Sequence, residues 1–66
     1  MIPRETLHLA IAAYFGGDTQ VLKLARKYRR RTNKPKVRRA MRTVLQHPHS
    51  ASRLAKEIYD DGNETK

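Results

Sequence analysis

The chain has 66 residues, with 15 Lys and Arg against 6 Asp and Glu, and a formal net charge of +9 at pH 7. A chain of this length forms one domain at most and buries only about 60% of its unfolded surface, so we expect marginal stability. It contains no cysteine, which excludes disulfides and thiolate metal sites and is typical of reducing compartments. Its longest mostly apolar run, residues 7–15, is shorter than the ~20 residues that span a bilayer. We therefore expect a cytoplasmic protein that does not bind membranes.

Apolar residues recur at helical spacing in four segments, and no segment shows the alternation typical of a strand. Helix 1 is expected to end at Gly16 and Gly17, because glycine adopts left-handed backbone geometry at little cost. Pro35 and Pro48 interrupt the helical pattern and separate the later helices. The predicted helices cover about residues 3–15, 19–31, 35–47 and 51–60.

These four segments predict an all-α fold, a small bundle of four short helices connected by short turns. A single helical domain is expected over residues 1–61. Gly62 is expected to stop the last helix and to leave residues 62–66 as a flexible C-terminal tail.

Helix 1 has two apolar faces. Its main stripe, which we expect to face the core, consists of Leu7, Ala10, Ile11, Tyr14 and Phe15. The opposite face carries Leu9, Ala12 and Ala13 instead of charges. Either helix 1 lies centrally and packs on two neighbours, or this second face of small residues forms a symmetric homodimer.

The junction of helices 1 and 2 partly fits the spacing of a helix-turn-helix motif. That motif has a small residue four before a glycine, apolar flanking residues, and further apolar residues about six and nine positions later. The matching residues are Ala12, Gly16, Ile11, Phe15, Leu22 and Ala25. Gly17 departs from the pattern, since an apolar residue normally follows the glycine. Helix 2 would be the recognition helix of such a motif.

Ten of the fifteen basic residues lie in one stretch that contains no acidic residue. They are Arg26, Lys27, Arg29, Arg30, Arg31, Lys34, Lys36, Arg38, Arg39 and Arg42. The remaining five basic and six acidic residues sum to −1, so the whole net charge comes from this stretch. On helices 2 and 3 these residues fall opposite the apolar stripes, so a shared core would place them on one outer surface. Such concentrated charge is typical of proteins that bind polyanions.

We therefore expect a small nucleic-acid-binding protein, most directly a duplex DNA-binding regulatory or accessory protein that contacts phosphates through helices 2 and 3. Duplexes are favoured over single strands because the aromatic residues, Tyr14, Phe15, Tyr28 and Tyr59, lie on or beside the apolar stripes and not among the basic residues. Two alternatives remain open: an RNA-binding protein, or an interaction module whose basic face docks an acidic protein.

Nothing in the sequence indicates catalysis. The acidic residues do not pair on one helical face in the way that metal-dependent hydrolysis requires. His47 and His49 flank Pro48, but a histidine at a helix C-terminus is explained by the helix dipole. We expect no catalytic residue, no metal and no cofactor.

Overall fold

A computed structural model describes residues 2–64. Its helices are α1 (Arg4–Phe15), α2 (Asp18–Arg31), α3 (Pro35–Gln46) and α4 (Ala51–Glu64), with a short 3-10 turn at Pro48–Ser50 before α4. No strand occurs among these residues. The predicted all-α bundle of four helices is confirmed, and the first three helices lie within one residue of their predicted bounds.

The end of α4 differs from the prediction. The helix continues through Gly62 to Glu64. A Cβ at position 62 would lie only 3.2 Å from Cγ1 of Ile2, so glycine here lets the start of the chain pack closely on α4. Of the expected tail, residues 62–64 therefore belong to the helix, and residues 65 and 66 lie outside the described part of the chain.

The turn between α1 and α2 depends on both of its glycines. Gly17 has a φ of 120°, a backbone conformation that only glycine adopts without strain. At Gly16 a Cβ would lie 2.7 Å from Cγ of Gln20 and 2.9 Å from the carbonyl oxygen of Ala12. The predicted stop at this glycine pair is confirmed.

The helices pack in two main pairs, α1 with α4 and α2 with α3. They enclose a small apolar core that consists of Leu9, Ala10, Ala13, Val21, Ala25, Val37, Met41, Val44, Ala51 and Ala55. Leu22, Leu24, Leu45, Leu54 and Ile58 are partly buried against it. The apolar residues that recur at helical spacing on α2, α3 and α4 thus supply most of this core.

The core-facing stripe predicted for helix 1 is wrong, although the helix does pack on two neighbours, α2 and α4. Leu9, Ala10 and Ala13 are buried, whereas most of the predicted stripe is in solvent: Leu7 is 39% exposed, Ile11 47%, Tyr14 58% and Phe15 88%. The helix is rotated by about a third of a turn from the expected orientation. Because α1 is apolar on nearly every side, periodicity does not distinguish its faces, and the small side chains of Ala10 and Ala13 allow the closer helix contact.

The rotation also removes the expected dimer face. Leu9 and Ala13 belong to the core of a single chain, and Ala12 packs against that core. These three residues therefore stabilise the monomer and are not available as a contact between two copies.

The helix-turn-helix prediction fails at the same place. The motif needs the apolar residues that flank its glycine-containing turn to pack inside. Ile11 and Phe15, which hold those positions in the sequence pattern, point largely into solvent. The α1–α2 pair consequently lacks the inner packing of that motif.

A few polar contacts connect elements that are distant in sequence. Oδ1 of Asp18 accepts a hydrogen bond from the N–H of Ser52 at 2.9 Å, so the first residue of α2 caps the first turn of α4. Nδ1 of His8 lies 2.6 Å from the hydroxyl of Tyr28 and connects α1 with α2. Oε1 of Glu5 lies 3.6 Å from Nζ of Lys34.

These carboxylates should make the fold acid-sensitive. The Ser52 N–H lowers the pKa of Asp18 below its usual 3.8. The backbone N–H of Glu5 and, less strongly, Lys34 lower the pKa of Glu5 below its usual 4.5. A depressed folded-state pKa stabilises the fold above the unfolded-state pKa, and this contribution is lost as pH falls through the folded value. We expect the midpoint temperature of thermal unfolding, followed by circular dichroism, to decrease as the pH is lowered below about 5.

The control for this prediction is the double variant Asp18→Asn with Glu5→Gln. It should have a lower midpoint than the natural chain at pH 7 and a flatter dependence on pH. An equally steep dependence in the double variant would show that general charge repulsion, and not these two carboxylates, causes the acid sensitivity.

Candidate nucleic-acid interface

The ten basic residues predicted to bind nucleic acid are all exposed to solvent. Seven of them are arginines, which lie on α2 or α3. The three lysines lie on α2, on the connection and on α3. We call the outer faces of α2 and α3, together with the connection that joins them, the basic surface. Helix α2 buries Val21 and Ala25, and helix α3 buries Val37, Met41 and Val44. The charged faces of both helices therefore turn outward.

A shallow groove runs along α2 within the basic surface. Its lining is entirely basic: Lys23, Arg26, Lys27, Arg30 and Arg31. At helical spacing these side chains form two adjacent ridges, one through Lys23, Lys27 and Arg31 and the other through Arg26 and Arg30. Lys23 is the one member that the predicted set omitted, because it precedes the uninterrupted stretch by three residues. Its i+3 and i+4 spacing to Arg26 and Lys27 is the signal that identifies it.

A second depression lies where α2 meets α3. It is lined by Arg29, Asn33, Pro35, Arg38, Arg39 and Arg42. Four guanidinium groups therefore surround one concave region, although they come from two helices. Guanidinium groups suit phosphate oxygens because they can donate two parallel hydrogen bonds.

The two depressions are connected through a third, which is lined by Arg26, Arg29, Arg30 and Leu45. Arg26 and Arg30 also line the α2 groove, and Arg29 also lines the depression between the helices. The basic residues of α2 and α3 thus form one continuous surface, as the sequence predicts. An α-helix of 14 residues, the length of α2, is about 21 Å long.

Three of the predicted residues, Lys34, Lys36 and Arg38, have contacts or neighbours that the other seven lack. Lys34 and Lys36 line a separate, largely apolar depression with Pro3 and Pro35, and Lys34 also pairs with Glu5. Nη2 of Arg38 donates a hydrogen bond to the carbonyl oxygen of Thr32 at 3.1 Å. Lys34 and Arg38 therefore also hold the α2–α3 connection in place.

Within the described part of the chain, the basic side chains of α2 and α3 form no ion pair with an acidic side chain. Among the described residues the ion pairs join Lys34 to Glu5 and Arg53 to Glu57, and none includes a residue of either helix. Like charges instead follow one another at i,i+4 spacing, as in Lys23, Lys27 and Arg31, and such pairs each destabilise an isolated helix by about 0.2–0.5 kcal/mol. The free chain therefore carries a self-repulsion that a bound polyanion would reduce.

The aromatic residues lie partly where the sequence predicts. Tyr28 and Tyr59 are half-buried, but Tyr14 and Phe15 are exposed on α1. Tyr14 and Phe15 belong to the predicted stripe of helix 1, which does not face the core, so these two aromatic residues are not buried as that stripe predicts. Tyr28 is the aromatic residue of α2, α3 has none, and the exposed faces of these helices offer no aromatic platform on which single-stranded bases could stack.

Within residues 2–64, no helix is long and apolar enough to cross a membrane. The same residues contain no group of three or more His, Asp or Glu side chains that could hold a metal ion.

No family model matches the chain, and no curated protein or solved structure matches it either.

Proposed function

We propose that the protein binds duplex nucleic acid, and DNA in preference to RNA, through the basic surface of α2 and α3. The observation that carries the proposal is the continuity of this surface: depressions that share Arg26, Arg29 and Arg30 connect basic side chains of both helices. The acidic residue of these two helices is Asp18, which lies at the very start of α2 and not among the basic side chains. Phosphate contacts would dominate the affinity, since each neutralised phosphate releases condensed counterions.

The dimensions of α2 support DNA over RNA. A helix with its side chains is about 10–12 Å across, which matches the ~12 Å width of the B-form major groove. The major groove of A-form RNA is too narrow for side chains to enter. The two basic ridges of α2 would then lie towards the phosphates that border the groove.

The depression between α2 and α3 is the part of the surface best suited to a single phosphate group. Arg29 approaches it from α2, and Arg39 and Arg42 approach it from α3. Because these arginines come from two packed helices, the separation of their Cα atoms is set by the core and not by a flexible loop. A small protein of this kind would act as a regulatory or accessory factor on DNA, and through phosphate contacts alone it would have little base specificity.

The test is fluorescence anisotropy with four labelled probes: a DNA duplex, an RNA duplex of the same sequence, one DNA single strand and one RNA single strand. Measurements at about 50 and 200 mM salt give the slope of log affinity against log salt, which approaches −0.9 for each phosphate neutralised on B-DNA. We expect tighter binding to the DNA duplex and a slope of several units.

Other outcomes would contradict the proposal in recognisable ways. Preference for the RNA duplex would replace DNA by RNA as the ligand. Weak binding to all four probes at ~150 mM salt would overturn nucleic-acid binding and leave the basic surface as a docking site for an acidic protein.

A further inference from the structure

The outer face of α1 carries the largest exposed apolar side chains of the described chain. We call Leu7, Ile11, Tyr14 and Phe15 the α1 patch; their exposed fractions are 39%, 47%, 58% and 88%. They recur at i, i+4, i+7 and i+8 and therefore form one contiguous stripe. Single exposed apolar residues are ordinary in proteins, whereas a contiguous stripe marks a contact surface.

The size of the α1 patch is that of an interaction site. A Phe or Tyr side chain has about 150–250 Å² of surface, so the exposed fractions of Tyr14 and Phe15 leave roughly 300 Å² of aromatic surface in water. Leu7 and Ile11 raise the patch to about 400–450 Å², the usual size of the largest apolar patch on a monomer, and such a patch is often functional. Two such patches brought together would remove at most about 900 Å² from water, slightly less than the ~1,000 Å² at which specific interfaces begin, so the contact would be a weak one.

We propose that the α1 patch is the contact of a weak, symmetric homodimer in which two α1 helices pack antiparallel. A two-fold axis at Ile11 would place this residue opposite its own copy and Leu7 opposite Phe15 of the second copy. Each copy then supplies the same surface, as a closed two-fold interface requires.

Charge complementarity favours a second copy of this chain as the occupant. Arg4 lies at the N-terminus of α1, the end at which a helix dipole disfavours a cation, and the last turn of α1 has no basic residue. In the antiparallel dimer Arg4 would lie beside the C-terminal end of the second copy's α1. A cation is stabilised at that end of a helix.

The distribution of charge over the surface favours a contact between copies at α1. Two chains of +9 each repel most strongly through the basic surface. Helix α1, in contrast, contains one Arg and one Glu and has no formal net charge. Near the patch, Nζ of Lys56 lies 4.7 Å from the centre of the Tyr14 ring, which leaves Leu7, Ile11 and Phe15 as the centre of the interface.

The first experiment is sedimentation of the natural chain, without nucleic acid, over protein concentrations from about 5 to 500 µM. We expect the mass to rise from that of one chain towards that of two, and the rise to begin at lower concentration in higher salt, because salt screens the repulsion between the copies. A single-chain mass at every concentration and salt would overturn the proposal.

Two substitutions test the patch itself. The double variant Ile11→Gln with Phe15→Gln should dimerise at least about tenfold more weakly, since exposed residues at the centre of an interface carry most of its affinity. Circular dichroism should be unchanged, because both side chains are outside the core. Undiminished dimerisation in this variant would contradict the patch as the interface.

The orientation of the two helices can be tested by crosslinking, since the chain has no cysteine of its own. Ile11→Cys places a single thiol at the proposed two-fold axis, where two Cα atoms can come within the ~7 Å that a disulfide allows. Gln46→Cys, at the exposed end of α3, is the matched control. Mild oxidation should crosslink the first variant rapidly and the second slowly; equal rates would indicate random collision and overturn the arrangement.

These measurements are independent of the proposed function. Higher salt should strengthen the dimer but weaken nucleic-acid binding. The two proposals can therefore fail independently, and each failure gives a different result.

Discussion

Replacing Arg29, Arg39 and Arg42 together by glutamine should weaken binding to a DNA duplex by about 100-fold at ~150 mM salt. These three guanidinium groups surround the depression between α2 and α3 and would each neutralise one phosphate. The slope of log affinity against log salt should accordingly fall by about three units. Anisotropy titrations at several salt concentrations measure both quantities. Circular dichroism should be unchanged, since all three side chains are exposed.

Arg38 is left out of this variant for a structural reason. Its guanidinium donates a hydrogen bond to the carbonyl oxygen of Thr32, so its loss would also disturb the α2–α3 connection. A change in affinity could then not be assigned to phosphate contacts alone.

A matched pair of variants separates the position of the charges from their number. Two double variants each lower the net charge by two: Arg39→Gln with Arg42→Gln, and Arg53→Gln with Lys56→Gln. The second pair lies on α4, outside the basic surface. We expect the first pair to lose much more affinity than the second. Equal losses would mean that net charge alone attracts the nucleic acid, and the proposed surface would be wrong.

Met41→Ala is expected to have the largest effect on stability. Met41 is fully buried at the centre of the core, and truncating such a side chain to alanine costs about 2–5 kcal/mol. A chain of 66 residues has a free energy of unfolding of roughly 3–10 kcal/mol at the usual value per residue. The variant should therefore lose a large fraction of its free energy of unfolding and should unfold at a lower temperature and a lower urea concentration, as denaturation followed by circular dichroism will measure.

Met41→Leu is the control for the core prediction. It nearly conserves the side-chain volume and should cost less than about 1.5 kcal/mol. If the alanine variant unfolded at the same urea concentration as the natural chain, the core around Met41 would not be packed as described.

The sequence predicted the later helices well because their patterns are unambiguous. In α3, Val37, Met41 and Val44 lie on one side and basic residues on the other, so only one orientation buries apolar and exposes charged groups. The same contrast in α2 placed Arg26, Arg30 and their neighbours outside. The composition of the candidate interface was therefore predictable without any knowledge of the tertiary structure.

The sequence alone determined the helical class, the breaks at Gly16–Gly17, Pro35 and Pro48, and the side of α2 and α3 that faces solvent. Each of these follows from local geometry or from the cost of burying a charge. The orientation of α1 was decided by the tertiary structure, because its apolar faces compete and only the fit of Ala10 and Ala13 against neighbouring helices selects between them. That choice buries Leu9 and exposes Phe15. Tertiary packing also brought Arg29 together with Arg39 and Arg42, since residues on separate helices meet only when a shared core sets their distance.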